Sequence, residues 1–259
     1  MRRLRFLLHF LALYCTGICV LFSYKAARGL SDYVLPGPVL LWQAAGRSMV
    51  GYAVDAAHTL VVAVAAYIAG VVLALAMTIM ALRKKSLMEP LEAVTTTAQS
   101  YPIVAVIPVL FVVVGDGIAT QLLVAIAISY FPILLALLGV AKNPVPEVEH
   151  FYTSVGTPTA WQTLRIRASE NFSTIQTALL GSASLAMVGA ILAEMISVQA
   201  GIGFSVVRAM DEPSTEGLLV ALFVIGIVTC LFLTAAECFG RVLGTIVRGE
   251  SRSTEREPT

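Results

Sequence analysis

The sequence predicts an all-α membrane protein, a bundle of six transmembrane helices with one long loop between the fourth and the fifth. Three observations predict it. Apolar residues make up 58% of the chain and charged residues only 13%, far from the roughly 45–50% and about 25% of soluble domains. The apolar residues gather into runs long enough to cross a bilayer, which takes roughly 20 residues at 1.5 Å each for about 30 Å of hydrocarbon. Lysine and arginine collect on one side once those runs are threaded through the membrane.

The first span is expected over residues 6–23, behind the basic start "MRRLR". A secretory signal has the same layout, but an apolar run of about 18 residues exceeds the 7–15 of a signal core, so a retained helix is expected. The second span, residues 57–82, contains "TLVVAVAAYIAGVVLALAMTIMAL" without a single charge. The third, residues 88–114, is broken in its middle by Tyr101 and Pro102. The fourth, fifth and sixth cover residues 119–141, 172–196 and 217–243. Pro102, Pro108 and Pro132 inside spans imply kinks, which bundles tolerate because neighbouring helices satisfy the freed backbone groups. The chain then divides into an N-terminal helix with an external linker (1–56), a core membrane domain (57–243) and a polar cytoplasmic tail (244–259) whose composition reads as disordered.

Basic residues near span ends resist translocation. With the N-terminus inside, 13 of the 17 lysines and arginines fall on the inner segments, leaving Lys25, Arg28, Arg47 and Arg208 outside. Both termini are therefore expected in the cytoplasm. Topology alone explains the positive residues, and a net charge of +1 leaves no basic face for nucleic acid, which is excluded as a partner. Cys15, Cys19, Cys230 and Cys238 lie within or at the ends of spans without paired His or Cys spacing, so they read as packed small hydrophobes rather than metal ligands or redox pairs.

Inner connections are short, as in "RKKSL", except for a loop of about 30 residues at 142–171. Loops that long in a compact domain are usually functional. Its "PEVEHFYTSV" reads as a short helix with acids early, Gly156 as a turn with positive φ, Pro158 as a bar to continuation, and "TAWQTLRIRASENF" as a second helix. Two readings of its Phe151, Tyr152, Val155 and Trp161 stand. They fit the groove of a cytoplasmic partner, or they rest a helix on the lipid surface.

Four segments carry a resemblance: "LPGPVLLWQA" at residues 35–44, "PLEAVTTTAQSYPIVAVIPVLFVVVGDG", "ISYFPILLALLGV" and "VGAILAEMISVQAGIGFSVV". They resemble the permease subunits of bacterial ATP-binding cassette importers, in the branch of the aliphatic sulfonate, taurine, nitrate and thiamine-precursor systems. The last segment is the most specific, with Ala193, Glu194, Met195, Gly201 and Gly203 all in place. The family's loop signature, Glu-Ala-Ala followed by Gly and a distal Leu-Pro, is matched at Gly156. His150, Phe151 and Tyr152 stand where Glu-Ala-Ala would, Ala168 to Glu170 replace the Leu-Pro, and one residue is added between Gly156 and Trp161.

The resemblance implies that the long loop carries a coupling helix, docking a cytoplasmic ATP-binding subunit through His150, Phe151, Tyr152, Gly156 and Trp161. It implies an external solute-binding protein, a homodimer around one pathway, and residence in the bacterial inner membrane. The solute would be small and polar, of the sulfonate, taurine, nitrate or pyrimidine and vitamin-precursor class. No Gly-rich turn ending in Gly-Lys-Ser or Gly-Lys-Thr occurs, so ATP is expected on a partner, with no cofactor, metal or enzymatic activity in this chain.

Glu194 is an acid deep in an apolar run, expensive unless it faces a cavity or a partner. It reads either as a pathway residue or as a carboxyl hydrogen-bonded to the turn at Gly201 and Gly203. Gln99, Ser100 and Tyr101 flank the break at Pro102, where unwound backbone lines a route for a polar solute or side chains bond neighbouring helices. Glu237 and His58 read as interfacial and stand outside the site. A stand-alone ion-coupled carrier or channel is the alternative class; it calls for several buried charges, and beyond Glu194 the spans hold few. A membrane-embedded enzyme would need a cluster of His, Asp or Cys.

Overall fold

The computed structural model describes residues 2–144, 156, 159–197, 200–212 and 214–248, with backbone alone for residues 2–11, 13, 14, 247 and 248. These are helices joined by turns: α1 (Arg2–Arg28), α2 (Pro38–Arg83), α3 (Met88–Gln99), α4 (Ile103–Val114), α5 (Ile118–Lys142), α6 (Ala160–Glu170), α7 (Phe172–Ile196), α8 (Ile202–Asp211) and α9 (Thr215–Arg248). A 3₁₀ turn, Lys85–Leu87, joins α2 to α3.

Among the described residues four helices are long and apolar enough to cross a membrane: α2, α5, α7 and Thr215–Ile246 of α9. The pair α3 and α4 makes a fifth if it counts as one span. The expected six are not reached by this count, since α1, helical over 27 residues, is not among them.

α2 starts well before the expected residue 57. It holds 46 residues, about 69 Å at 1.5 Å per residue, more than twice the roughly 30 Å of hydrocarbon. Pro38 suits the first helical turn, where its missing N–H has no partner to lose. Hydropathy locates the embedded part of a helix and not its end, so the segment expected as an external linker is helical from Pro38 onward.

The broken third span is more than kinked. α3 and α4 meet at 94°, and each has 12 residues, about 18 Å and too short to cross alone. Pro102 lacks an N–H and its ring pushes Tyr101 out of the helical region, so the chain turns there.

α5 and α7 lie against each other, with α2 packed on both. Small residues make the approach: Ala63, Ala66 and Ala74 on α2, Ala125 on α5, and Ala183, Ala186 and Ala190 on α7 are all fully buried. Without a hydrophobic drive inside lipid, close backbone packing of this kind holds spans together. A Cβ on Gly189 of α7 would stand 2.8 Å from Ala125 Cα. The opposite face of α2 carries Val61, Ile68 and Val72, all more than half exposed.

Polar ties close the α6 end of the bundle. Lys142 pairs with Glu92, joining α5 to α3, and the Arg167 guanidinium donates to the Ala141 carbonyl. α6 opens with a capping box: Thr159 accepts from the Gln162 amide at 3.3 Å, and the Thr159 amide donates to Gln162 Oε1 at 2.8 Å. Between α1 and α2, Lys25 pairs with exposed Asp32 and holds its carboxyl below the ordinary value, first by the hydrogen bond and then by its charge. Cys230 is buried as expected, whereas Cys15 and Cys19 are exposed on α1, which touches little of the bundle.

Candidate functional site

The last turn of α7 brings Glu194 into the interior, where the residue is fully buried. A carboxyl there is tolerable only with donors around it, and three elements supply them. From α2, Thr59 Oγ1 lies 2.7 Å from Glu194 Oε2 and His58 Nδ1 lies 3.2 Å from Oε1. From the start of α8, the Gly203 amide donates to Oε2 at 3.1 Å.

Thr59 is the junction. Its oxygen accepts from the Ile202 amide at 3.0 Å, while its single proton faces Glu194 and, at 3.1 Å, the Asp55 carbonyl oxygen. Asp55 in turn accepts from Ser205 of α8 through its carboxylate. Asp55, His58 and Thr59 are spaced i, i+3, i+4, one face of α2, so a single helical stripe grips the α7–α8 turn.

The turn itself is built for this approach. Gly201 has φ of +109°, a conformation that L side chains rarely adopt, and a Cβ on it would stand 2.1 Å from Glu194 Cδ. On Gly203 a Cβ would stand 2.4 Å from the Ile191 carbonyl oxygen. One residue beyond α7, Ser197 Oγ donates to Asp116 Oδ1 at 2.8 Å, tying this end to the turn before α5.

The structure thus gathers Glu194, Gly201 and Gly203 and adds Asp55, His58, Thr59 and Ser205, none of which the sequence reading placed in the site. His58 is a correction: expected at the interface, it reaches a buried carboxylate 136 positions away. Its signal was the i, i+3, i+4 stripe at the head of an apolar run. Glu237 pairs with Arg241 one turn along α9.

Gln99, Ser100, Tyr101 and Pro102 sit at the α3–α4 bend, a second locus. Gln99 and Tyr101 line a cavity of about 350 Å³ with Ile128, Phe131, Pro132 and Leu185, and the Tyr101 ring is largely exposed. Ser100 Oγ donates back to the Thr96 carbonyl at 3.3 Å. α4 packs its buried Ile107 with Val124 and Ala193, the neighbour of Glu194.

In the long loop, His150, Phe151 and Tyr152 lie outside the described residues. Trp161 is half exposed on α6. Gly156 is exposed, and the turn expected around it lies with its neighbours outside the described residues; among the described residues positive φ belongs to Gly29, Gly115, Gly117 and Gly201. Among the described residues no group of His, Cys, Asp and Glu is arranged to hold a metal ion.

No family model matches the chain. It is 27% identical over 161 residues to the riboflavin transport system permease protein RibX of Chloroflexus aurantiacus, a match covering 60% of this chain and 58% of that protein. It is 20% identical over 146 residues to the formylaminopyrimidine transport permease protein ThiX of Halalkalibacterium halodurans, covering 56% of this chain and 58% of that one. The chain resembles transport permeases. The resemblance to importer permeases drawn from the sequence segments agrees with both, and neither relative is named as an enzyme. The matches span well under two thirds of each relative's own length. With several helices apolar enough to cross a bilayer, the chain is a multi-pass membrane protein.

Proposed function

We propose that the chain is the permease subunit of an ATP-driven importer in a bacterial inner membrane, giving a small polar solute its way through the bilayer. The observation that carries this reading is the likeness to two transport permeases in a chain whose described residues form an all-helical membrane bundle. ATP belongs on a separate cytoplasmic subunit docked at the loop 142–171, where His150, Phe151, Tyr152, Gly156 and Trp161 are the contact residues. An external binding protein delivers solute, and two copies of the chain form the pathway. Six crossings result when α1 and the bent α3–α4 pair are each counted as one, with both termini in the cytoplasm.

The Glu194 cluster acts in this scheme as a latch. The α7–α8 turn leaves α2 only if Glu194 gives up Thr59 and His58, the Ile202 amide gives up Thr59 and Ser205 gives up Asp55, bonds that would break together as a gate requires. The Gln99–Pro102 bend, with unwound backbone beside a cavity, lines the route. Of the solute classes the sequence suggests, the pyrimidine and vitamin-precursor class agrees best with relatives named for riboflavin and formylaminopyrimidine.

One observation favours a second reading, an ion-coupled carrier that works alone: a buried carboxyl against an imidazole is the kind of pair that binds a coupling proton. Purification of the tagged chain from its native membrane in mild detergent separates the two. An associated ATPase whose hydrolysis rises with binding protein and solute is expected. A chain that purifies without an ATPase and still drives uptake into proteoliposomes from a proton gradient would overturn the importer reading.

A further inference from the structure

We propose that the chain holds an anionic phospholipid at the α6 end of the bundle, with one acyl chain in an apolar cavity between the spans and the headgroup phosphate against Arg165. The inference needs only that the chain spans a bilayer, and it is tested on the chain without the ATPase whose docking also claims Trp161.

The cavity has a volume of about 320 Å³, about twice the roughly 150 Å³ of an apolar cavity that takes up benzene. Four spans wall it, through Leu75 of α2, Leu137 of α5, Leu179 of α7 and Ile246 of α9. It reaches Val71, twelve residues before the end of α2 at Arg83, or about 18 Å along the helix. One leaflet of hydrocarbon is about 15 Å deep, half of the roughly 30 Å core. A space with so little polar lining offers water no partners, and left unfilled it forfeits dispersion contacts. In a bilayer the apolar group at hand is an acyl chain.

α6 decides what sits at the mouth. Trp161, Leu164, Arg165 and Ala168 all line the cavity, at the i, i+3, i+4, i+7 spacing of one helical face. Leu164 and Ala168 are buried while Trp161 and Arg165 stay exposed. A guanidinium set into an otherwise apolar stripe, above a cavity of acyl-chain depth, matches a phosphate, whose oxygens it binds bidentately. An indole beside it suits the headgroup level, where aromatic rings with one polar edge concentrate.

Trp161 also makes the test direct, because the chain has two tryptophans and the other, Trp42, is exposed on α2. The Trp42→Phe protein is reconstituted in phosphatidylcholine vesicles with rising fractions of brominated phosphatidylglycerol or brominated phosphatidylcholine. Trp161 fluorescence should quench saturably at a low fraction of the anionic lipid, and several-fold less readily with the zwitterionic one. Arg165→Gln should cut that preference by about fivefold, the equivalent of about 1 kcal/mol per basic residue at an anionic surface. Ala168→Phe, which fills the cavity wall, should remove the saturable phase; should that variant not fold, the exposed Arg165→Gln still decides. Quenching that follows bulk lipid composition, or a saturable phase indifferent to Arg165→Gln, would overturn the proposal. So would displacement of the lipid by millimolar inorganic phosphate, which would reassign Arg165 to a free anion.

Discussion

Thr59 on α2 donates a 2.7 Å hydrogen bond to the carboxylate of Glu194 on α7, across 135 positions of sequence, and both residues are fully buried. The same hydroxyl oxygen accepts from the Ile202 amide. One side chain therefore holds both ends of the α7–α8 turn.

Glu194→Gln and Glu194→Ala should differ. The glutamine oxygen still accepts from Thr59 and the Gly203 amide, and its NH₂ group can donate to a neutral His58 ring nitrogen. Alanine strands the buried Gly203 N–H and leaves the Thr59 hydroxyl only the Asp55 carbonyl to donate to, at about 1–3 kcal/mol. Thermal unfolding in detergent should show a small shift for the first and a large one for the second. Uptake at matched membrane abundance should follow the same order, and equal, severe loss in both would point instead to a carboxylate acting on solute.

Gly201→Ala should be far more damaging than Gly181→Ala. The first adds a Cβ on top of the Glu194 carboxyl at a left-handed φ, whereas nothing lies within 4 Å of a Cβ on Gly181. Backbone strain alone costs on the order of 1–3 kcal/mol, and the steric overlap adds to it. In mid-helix, Gly181→Ala should be neutral to stabilising by up to about 1 kcal/mol. Expression level and melting temperature of the two variants give the comparison.

Gly189→Leu should push α7 off α5, because the glycine Cα already faces Ala125 at the distance where a Cβ would be 2.8 Å away. Overpacking of this kind typically costs about 1–3 kcal/mol. Reduced membrane accumulation with increased protease sensitivity is the expected result, while wild-type abundance would mean the helices separate freely.

Gly156 is exposed, which limits what a substitution there costs the fold. Gly156→Ala should leave stability within about 0.5 kcal/mol, as at other exposed sites. If the loop docks an ATPase, Gly156→Val should lower the recovery of that subunit in a pull-down without lowering the abundance of the chain.

Orientation is testable by cysteine accessibility in a background lacking the four native cysteines. A cysteine at Glu212, after α8, should react with an impermeant thiol reagent in intact cells, and one at Thr159, before α6, should react only after lysis. The reverse pattern would invert the topology drawn from the arginine and lysine distribution.

Much of the helical layout was legible because span ends follow from runs of apolar residues. The span expected at residues 172–196 coincides with α7, and that at residues 119–141 falls one residue short of α5 at each end. The start of α2 was not legible: residues 38–56 carry mixed polarity, and a helix that leaves the hydrocarbon keeps its backbone hydrogen bonds without keeping its hydropathy. The break at Tyr101 and Pro102 was visible from proline chemistry, but its 94° angle depends on how α4 packs against α5 and α7.

The sequence by itself determined that this is a helical membrane protein, where its apolar helices run, and that Glu194 and the two glycines after it are unusual. Length, hydropathy and proline or glycine chemistry are local quantities, and local quantities settle such questions. Only the tertiary structure decided that His58 and Thr59 meet Glu194, that Gly201 takes a left-handed conformation against that carboxyl, and that Arg165 stands at the mouth of an apolar cavity. Those facts depend on which helix faces of α2, α6, α7 and α8 come together, and the packing of small residues that selects those faces is not encoded in the pattern of any one helix.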